Sequence, residues 1–166
     1  MEIWDAYLKD GTPAGADLVR GETIPAGLYH IVCEILVRHT DGDYLLMQRD
    51  FEKNGYPGWF EATAGGSALK GEDKTACAYR ELFEETGIKA QKLTEIGRYV
   101  SNDTIYFSFL TVTDWEKSKI TLQTGETVSF KWITEDEFIR FLHSGDMIPE
   151  QKERYKAFFR DMGYKA

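Results

Sequence analysis

Between residues 66 and 88 the chain reads GSALKGEDKTACAYRELFEETGI, and the spacing within this stretch restricts what the region can fold into. Asp73 is a short acceptor side chain just ahead of helix-forming residues, the pattern of an N-cap. Gly87 follows the run, where a left-handed residue closes a helix. A helix is therefore predicted between them. At roughly 100° per residue, Glu81, Glu84 and Glu85 share one arc, while Ala76, Tyr79, Leu82 and Phe83 fall on the other side. The expectation is that this second, apolar face docks on a sheet and the carboxylates face away from it. Cys77 and Ala78, both small, lie one turn earlier on the acidic side and leave room for a ligand.

Three glutamates on one helix face repel one another, by a few tenths of a kcal/mol per pair even when solvated. Arg80, four residues before Glu84, offsets part of this. A hard divalent cation offsets more, because magnesium takes oxygen ligands and is held by carboxylates together with substrate phosphates. A charge run alone usually means a solvated face. Here the glutamates stand at fixed offsets from Gly66, Glu72, Arg80, Leu82, Gly87 and Ile88, and these nine specified positions match by chance on the order of once in 10⁹ to 10¹⁰ windows. A metal-dependent phosphate site is the better reading.

The remaining sequence predicts mainly strands. Residues 2–7 and 13–20 read as a hairpin around Asp10-Gly11. Residues 29–38 form a largely apolar run suited to a central strand, and Asp41-Gly42 turns it into a strand over 44–49. A charged loop follows, then a short strand over 58–64. Strands are expected at 91–101, 104–113 and 128–133. Thr134 and Glu137 form a capping-box pattern for a helix over 135–143. Pro149 opens an amphipathic helix over 149–162. There are no repeats or linkers, so residues 1–166 are expected to form one domain. Many strands with a few helices indicate a mixed sheet covered by helices.

The segment from Gly66 resembles the Nudix box, G-x5-E-x7-R-E-U-x-E-E-x-G-U with U aliphatic, at every specified position, and the likeness extends over about residues 29–143. The resemblance implies an α/β Nudix fold, an α/β/α sandwich of mixed sheet between helices, here with an N-terminal β-hairpin. The WDAYLKDG hairpin is similar to the start of a branch related to isopentenyl-diphosphate isomerases. The resemblance also implies one to three Mg²⁺ or Mn²⁺ ions and water attack on a diphosphate linkage, typically in a nucleoside diphosphate joined to another group. On the same ground Glu81, Glu84 and Glu85 are the expected metal ligands, with backbone oxygen near Gly65-Gly66, where glycine permits close approach. The general base is Glu81 or Glu126; Glu126, six residues before Trp132, stands where many relatives carry a further ligand or base. Glu72 supports the junction of loop and helix.

Arg80 is expected to orient Glu81 or Glu84 by charge-assisted hydrogen bonds. Arg49, at the end of a strand, is a candidate phosphate ligand. Trp59, Phe60 and Tyr106 are candidates for stacking on a base or ring, against the commoner role of aromatics in a core. His30 lies in an apolar strand and more often would be structural. Two other readings stay open: an isomerase of isopentenyl diphosphate, and a non-catalytic nucleotide-binding module. Against the isomerase, Gly65-Gly66-Ser67-Ala68 lacks the cysteine and histidine of a CGHP-like stretch; against the module, the box glutamates are all present.

Composition sharpens the partner. The formal net charge is −8 over 166 residues, which disfavours long polyanions and also repels a diphosphate unless a divalent cation intervenes. A small-molecule diphosphate is thus expected, with no nucleic-acid polymer and no membrane. No apolar run approaches the 18–20 or so residues of a span, and the acidic start lacks the basic region of a signal peptide. Two cysteines, Cys33 and Cys77, are too few for a disulfide framework and fit a reducing cytoplasm, although a bond between them remains open. The hairpin could serve a homodimer.

Overall fold

The hairpin of β1 (Ile3–Tyr7) and β2 (Pro13–Val19) forms as its turn chemistry requires. Gly11 takes φ 91°, a conformation glycine adopts freely, and the Thr12 N–H donates to Asp10 Oδ1 at 2.9 Å. In this computed structural model, which describes residues 1–165, β3 (His30–His39) and β4 (Tyr44–Arg49) follow. The single strand expected over 58–64 is instead two short ones, β5 (Phe60–Glu61) and β6 (Thr63–Ser67). Then come α1 (Lys74–Thr86), β7 (Thr94–Val100), β8 (Thr104–Thr113), a 3₁₀ turn at Lys117–Lys119, β9 (Thr127–Ile133), α2 (Glu135–His143) and α3 (Pro149–Asp161).

The break between β5 and β6 shapes the whole sheet. β3 and β4 meet only at their hairpin end, Arg38 opposite Tyr44, and then diverge. The chain around Ala62 fills the wedge. Phe60 and Glu61 pair with Gln48 and Met47 of β4, whereas Thr63 to Ser67 pair with Leu36 to Val32 of β3. On the far side of β3 lies β8, parallel to it from His30–Thr104 to His39–Thr113, and β7 closes that edge. β9 pairs with β4. The sheet is mixed because the long excursion through β4 to β7 returns the chain in the direction of β3.

Alternation along β3 sorts the core onto two faces. Ile31, Cys33, Ile35 and Val37, with Ile105, Phe107 and Phe109 of β8, meet Cys77, Ala78 and Leu82 of α1. Leu36, Tyr44 and Leu46 meet Phe138 and Leu142 of α2 and Tyr155 and Phe159 of α3 on the other face. Tyr44 stacks on Phe138 with centroids 4.0 Å apart. Each such side chain contributes about 1.5–3 kcal/mol on burial. The architecture is the α/β/α sandwich expected. Cys33 and Cys77 are buried free thiols.

The caps of α1 are as read from the sequence: Asp73 accepts from Ala76 N–H at 2.8 Å, and Gly87 at φ 76° donates to the Phe83 carbonyl at 2.8 Å. The orientation of α1 is not. Tyr79 and Phe83, expected to dock, are 38% and 49% exposed, while Glu81 and Glu85 are 9% and 8% exposed. The side of α1 that faces the sheet is the one with the smallest side chains. Cys77 and Ala78 let its backbone come close to β3, and Leu82 fills the core beside them. Both carboxylates then lie over β6, where Gly65 and Gly66 have no side chains to oppose them.

Candidate functional site

Gly65 and Gly66 are squeezed between β3 and α1. A Cβ on Gly65 would lie 2.0 Å from the Cys33 carbonyl oxygen, and one on Gly66 would lie 2.6 Å from the Glu81 carboxylate. The Gly65 N–H donates to Glu85 Oε2 at 3.0 Å. The Gly66 carbonyl accepts from the Cys77 thiol at 3.5 Å. Glycine here is required by close approach from both sides, not by an unusual φ.

Arg80 locks the loop before α1 to the acidic face. Its Nε donates to Glu72 Oε1 at 2.7 Å and its Nη2 to Glu72 Oε2 at 2.8 Å, a forked pair. Its Nη1 reaches Glu81 Oε1 at 2.6 Å and Glu84 Oε2 at 3.1 Å, and Nη2 also bonds the Ser67 carbonyl at 3.0 Å. The orienting role expected for Arg80 fits this arrangement, with Glu72 as its main anchor. Glu72 in turn accepts from Leu69 N–H at 3.0 Å.

The Arg80 hydrogen bonds hold the Glu72 carboxyl below its usual value of 4.5, against the opposing effect of burial. The folded state therefore takes up the proton less readily than the unfolded chain. The resulting stabilisation is present above that value and fades as pH falls through the lower folded one. A Glu72→Gln variant is expected to lose stability less steeply than wild type between about pH 5 and pH 3, read by urea unfolding at each pH. Parallel acid limbs for the two proteins would show that this pair has no part in acid sensitivity.

The acidic side chains open into a cleft of about 260 Å³ lined by Glu81, Glu84, Glu85 and Glu126 with Gly65, Gly66, Arg80 and Lys53. Burial pushes the Glu85 carboxyl well up, and repulsion from Glu61, Glu81 and Glu126 adds to this. Burial likewise raises Glu81. Glu84 stands at the exposed rim. Among the described residues no three carboxylates, thiols or imidazoles converge on one coordination point. Glu81 is turned onto Arg80, and Glu85 onto the Gly65 N–H. The donor set nevertheless suits a hard divalent cation: oxygen ligands, an excess of buried negative charge, and a backbone with no side chain in the way.

The structure brings Glu126 to this cleft, on the loop before β9, paired with Lys53. Arg49 lies at the neck between the cleft and a neighbouring cavity, but its guanidinium is engaged by Glu61 and by the carbonyls of Gly55 at 3.0 Å and Asn54 at 3.2 Å. It shapes the 50–58 loop. Trp59 and Phe60 are placed elsewhere, in a cavity with Lys131, Phe141 and Asp146. The reason is alternation along β5: Glu61 faces the neck beside Gly65, so Phe60 faces the other side of the sheet, toward Lys131 and Phe141. Tyr106 lines the neighbouring cavity, about 380 Å³, with Thr63, Gln151, Glu34 and Arg154. There Arg154 forms a fork with Glu34, its Nε 2.8 Å from Oε2, and stacks over Tyr106 at 4.2 Å. His30 is stacked on Trp4 at 4.4 Å, in keeping with a structural role.

Sequence reading missed Glu2, Arg20, Lys53, Glu61 and Gln123, all of which line the cleft or its neck. No spacing rule marks them, since each arrives from a different loop or strand end. The charged loop that opens at Asp50-Phe51-Glu52-Lys53, directly after the strand over 44–49, is the one hint in the sequence.

The α/β/α sandwich thus gathers glutamates from a helix and a facing loop over two strand glycines. Residues 28–158 match the NUDIX domain, and the chain belongs to the Nudix family as a pyrophosphohydrolase. It is 31% identical over 152 residues to an uncharacterised Nudix hydrolase of Listeria monocytogenes, covering 90% of this chain and 89% of that one. In fold it resembles a Deinococcus radiodurans protein, with TM-score 0.72 at 15% identity over 92% of this chain and 96% of the other. It also resembles a bifunctional NMN adenylyltransferase/ADP-ribose pyrophosphatase of Francisella tularensis solved with AMP and a manganese ion, TM-score 0.59 at 22% identity, over 81% and 42% of the two chains. No helix among the described residues is long and apolar enough to cross a membrane.

Proposed function

We propose that the protein hydrolyses a diphosphate linkage in a nucleoside diphosphate derivative, with magnesium, or manganese in its place, held by Glu81, Glu84, Glu85 and backbone oxygen near Gly66. The observation that carries this reading is the meeting of Glu81, Glu84, Glu85 and Glu126 in one cleft over a bare glycine backbone. A divalent cation bound there supplies charge neutralisation at the diphosphate and acidifies the attacking water. Glu81 is the proposed proton acceptor: it lines the cleft beside Gly66, and burial raises its carboxyl above the ordinary value. Glu126, kept in place by Lys53, is the alternative acceptor across the cleft.

The cavity beyond Gly65 supports a polar remainder of the substrate over a hydrocarbon one. Its walls carry the Glu34–Arg154 pair, Thr63 and Gln151 beside the Tyr106 ring. Glu34 and Arg154 satisfy each other and Gln151 Nε2 donates to Thr63 Oγ1, but Gln151 Oε1 is buried without a partner among the described residues; an isoprenoid chain would leave it so, at a cost of about 1–3 kcal/mol, where a polar group would bond it. A location in the cytoplasm and a single acting domain accompany this proposal.

The test is release of phosphate-containing product from a panel of nucleoside diphosphate derivatives and isopentenyl diphosphate at millimolar Mg²⁺. Turnover is expected with at least one nucleoside compound, falling by roughly a hundredfold or more on chelation. Turnover indifferent to EDTA, or confined to the isoprenoid, would sink the proposal.

A further inference from the structure

The hairpin of β1 and β2 lies ahead of the residues that match the NUDIX domain, yet it is fastened to the loop that leads into α1. Lys70 N–H donates to the Ile3 carbonyl at 2.9 Å, Gly71 N–H to Asp5 Oδ2 at 2.7 Å, and Lys70 Nζ bonds Asp17 Oδ2 at 2.5 Å. These contacts place the end of β2 against the carboxylate cleft, and Glu2 and Arg20 join its lining. A relay sets the position of Arg20. Trp4, buried and stacked on His30, donates Nε1 to Glu2 Oε1 at 2.7 Å; Glu2 Oε2 accepts from Arg20 Nη1 at 2.9 Å. The Arg20 backbone N–H also bonds the Glu2 carbonyl at 3.0 Å.

We infer that Arg20 is a phosphate-binding residue of the active site, delivered by the hairpin, and that it grips the terminal or leaving phosphate of the diphosphate. This rests on the diphosphate reading above. Among the described residues, three cationic side chains line the cleft: Arg20, Lys53 and Arg80. Arg80 spends its guanidinium on Glu72, Glu81, Glu84 and Ser67. Lys53 closes onto Glu126. Arg20 uses one side-chain N–H, toward Glu2, and its side chain remains 60% exposed. Its other edge is free for the bidentate grip that guanidinium makes on phosphate oxygens. In a cleft with Glu2, Glu81, Glu84, Glu85 and Glu126 on its walls, such a contact adds to the divalent cation in holding a polyanion.

Two measurements on Arg20→Ala and Arg20→Lys decide the matter. The first is calorimetric affinity for imidodiphosphate with Mg²⁺, a probe whose P–N–P bridge resists hydrolysis. The second is the separate KM and kcat for whichever nucleoside substrate the panel identifies. Arg20→Ala is expected to weaken imidodiphosphate binding and raise KM by roughly 10- to 100-fold, with an unchanged melting temperature. Arg20→Lys should recover a good part of the loss, since it restores charge without the fork. A hairpin that only braces the loop would instead lower kcat and melting temperature and leave imidodiphosphate affinity within twofold of wild type, which overturns the assignment. If wild type turned over no nucleoside compound yet the alanine variant bound imidodiphosphate weakly, the Arg20 assignment would stand and the substrate proposal would fall.

Discussion

Replacing Glu85 by glutamine is expected to remove turnover, by about a thousandfold or more, while making the metal-free protein more resistant to heat. The two effects have one origin. Glu85 is almost fully buried, and its carboxyl is pushed well up by burial and by Glu61, Glu81 and Glu126. Its charged form is thus disfavoured in the fold. The penalty appears as pH rises from the ordinary carboxyl value of 4.5 through the raised one, so at neutral and higher pH it works against folding. Glutamine keeps an oxygen to accept the Gly65 N–H and sheds the charge. Melting curves in EDTA at about pH 8 should therefore move upward for Glu85→Gln, and added Mg²⁺ should raise wild type more than the variant. A variant that loses activity and also melts earlier in EDTA would mean that Glu85 serves the fold first.

Neighbouring glycines are expected to fail in different ways when a methyl group is added. In Gly65→Ala the new Cβ would meet the Cys33 carbonyl at 2.0 Å. That oxygen belongs to β3, the strand on which both core faces are built, and it has nowhere to move. Loss of about 3 kcal/mol or more is expected, up to failure to fold. In Gly66→Ala the obstacle is the Glu81 carboxylate at 2.6 Å, the far end of a flexible side chain that a single Arg80 hydrogen bond holds. Glu81 can swing aside, so stability should change by about 1 kcal/mol or less, whereas activity should drop roughly a hundredfold because the displaced group is the proposed base. Denaturation midpoints and kcat for the two variants separate these outcomes. Equal destabilisation by both would refute the distinction between a backbone and a side-chain contact.

Much of the fold was legible because its signals are local. Asp73 and Gly87 cap α1, Thr134 and Glu137 form the capping box of α2, and Asp10-Gly11 turns the hairpin, each through contacts within a few residues. The strand at 58–64 was misread because its division is not local. Phe60–Glu61 answers to β4 and Thr63–Ser67 to β3, and which partner wins depends on where those two strands part. The facing of α1 was misread for a related reason. A hydrophobicity wheel favours Tyr79 and Phe83 for burial, but the distance from α1 to the sheet favours Cys77 and Ala78, and distance prevailed.

The sequence alone determined which groups are on offer: glutamates, an arginine and glycines at set intervals supply carboxylate oxygens and a bare backbone wherever that segment lies. Only the tertiary structure decided which way the carboxylates point and what else surrounds them. Burial of Glu81 and Glu85 over β6, the arrival of Glu126 and Lys53 from separate loops, and the docking of Arg20 by the hairpin all depend on contacts between residues far apart in the chain. Such contacts are set by packing distance and by the pairing of strand edges, and neither leaves a periodic trace in the order of the residues.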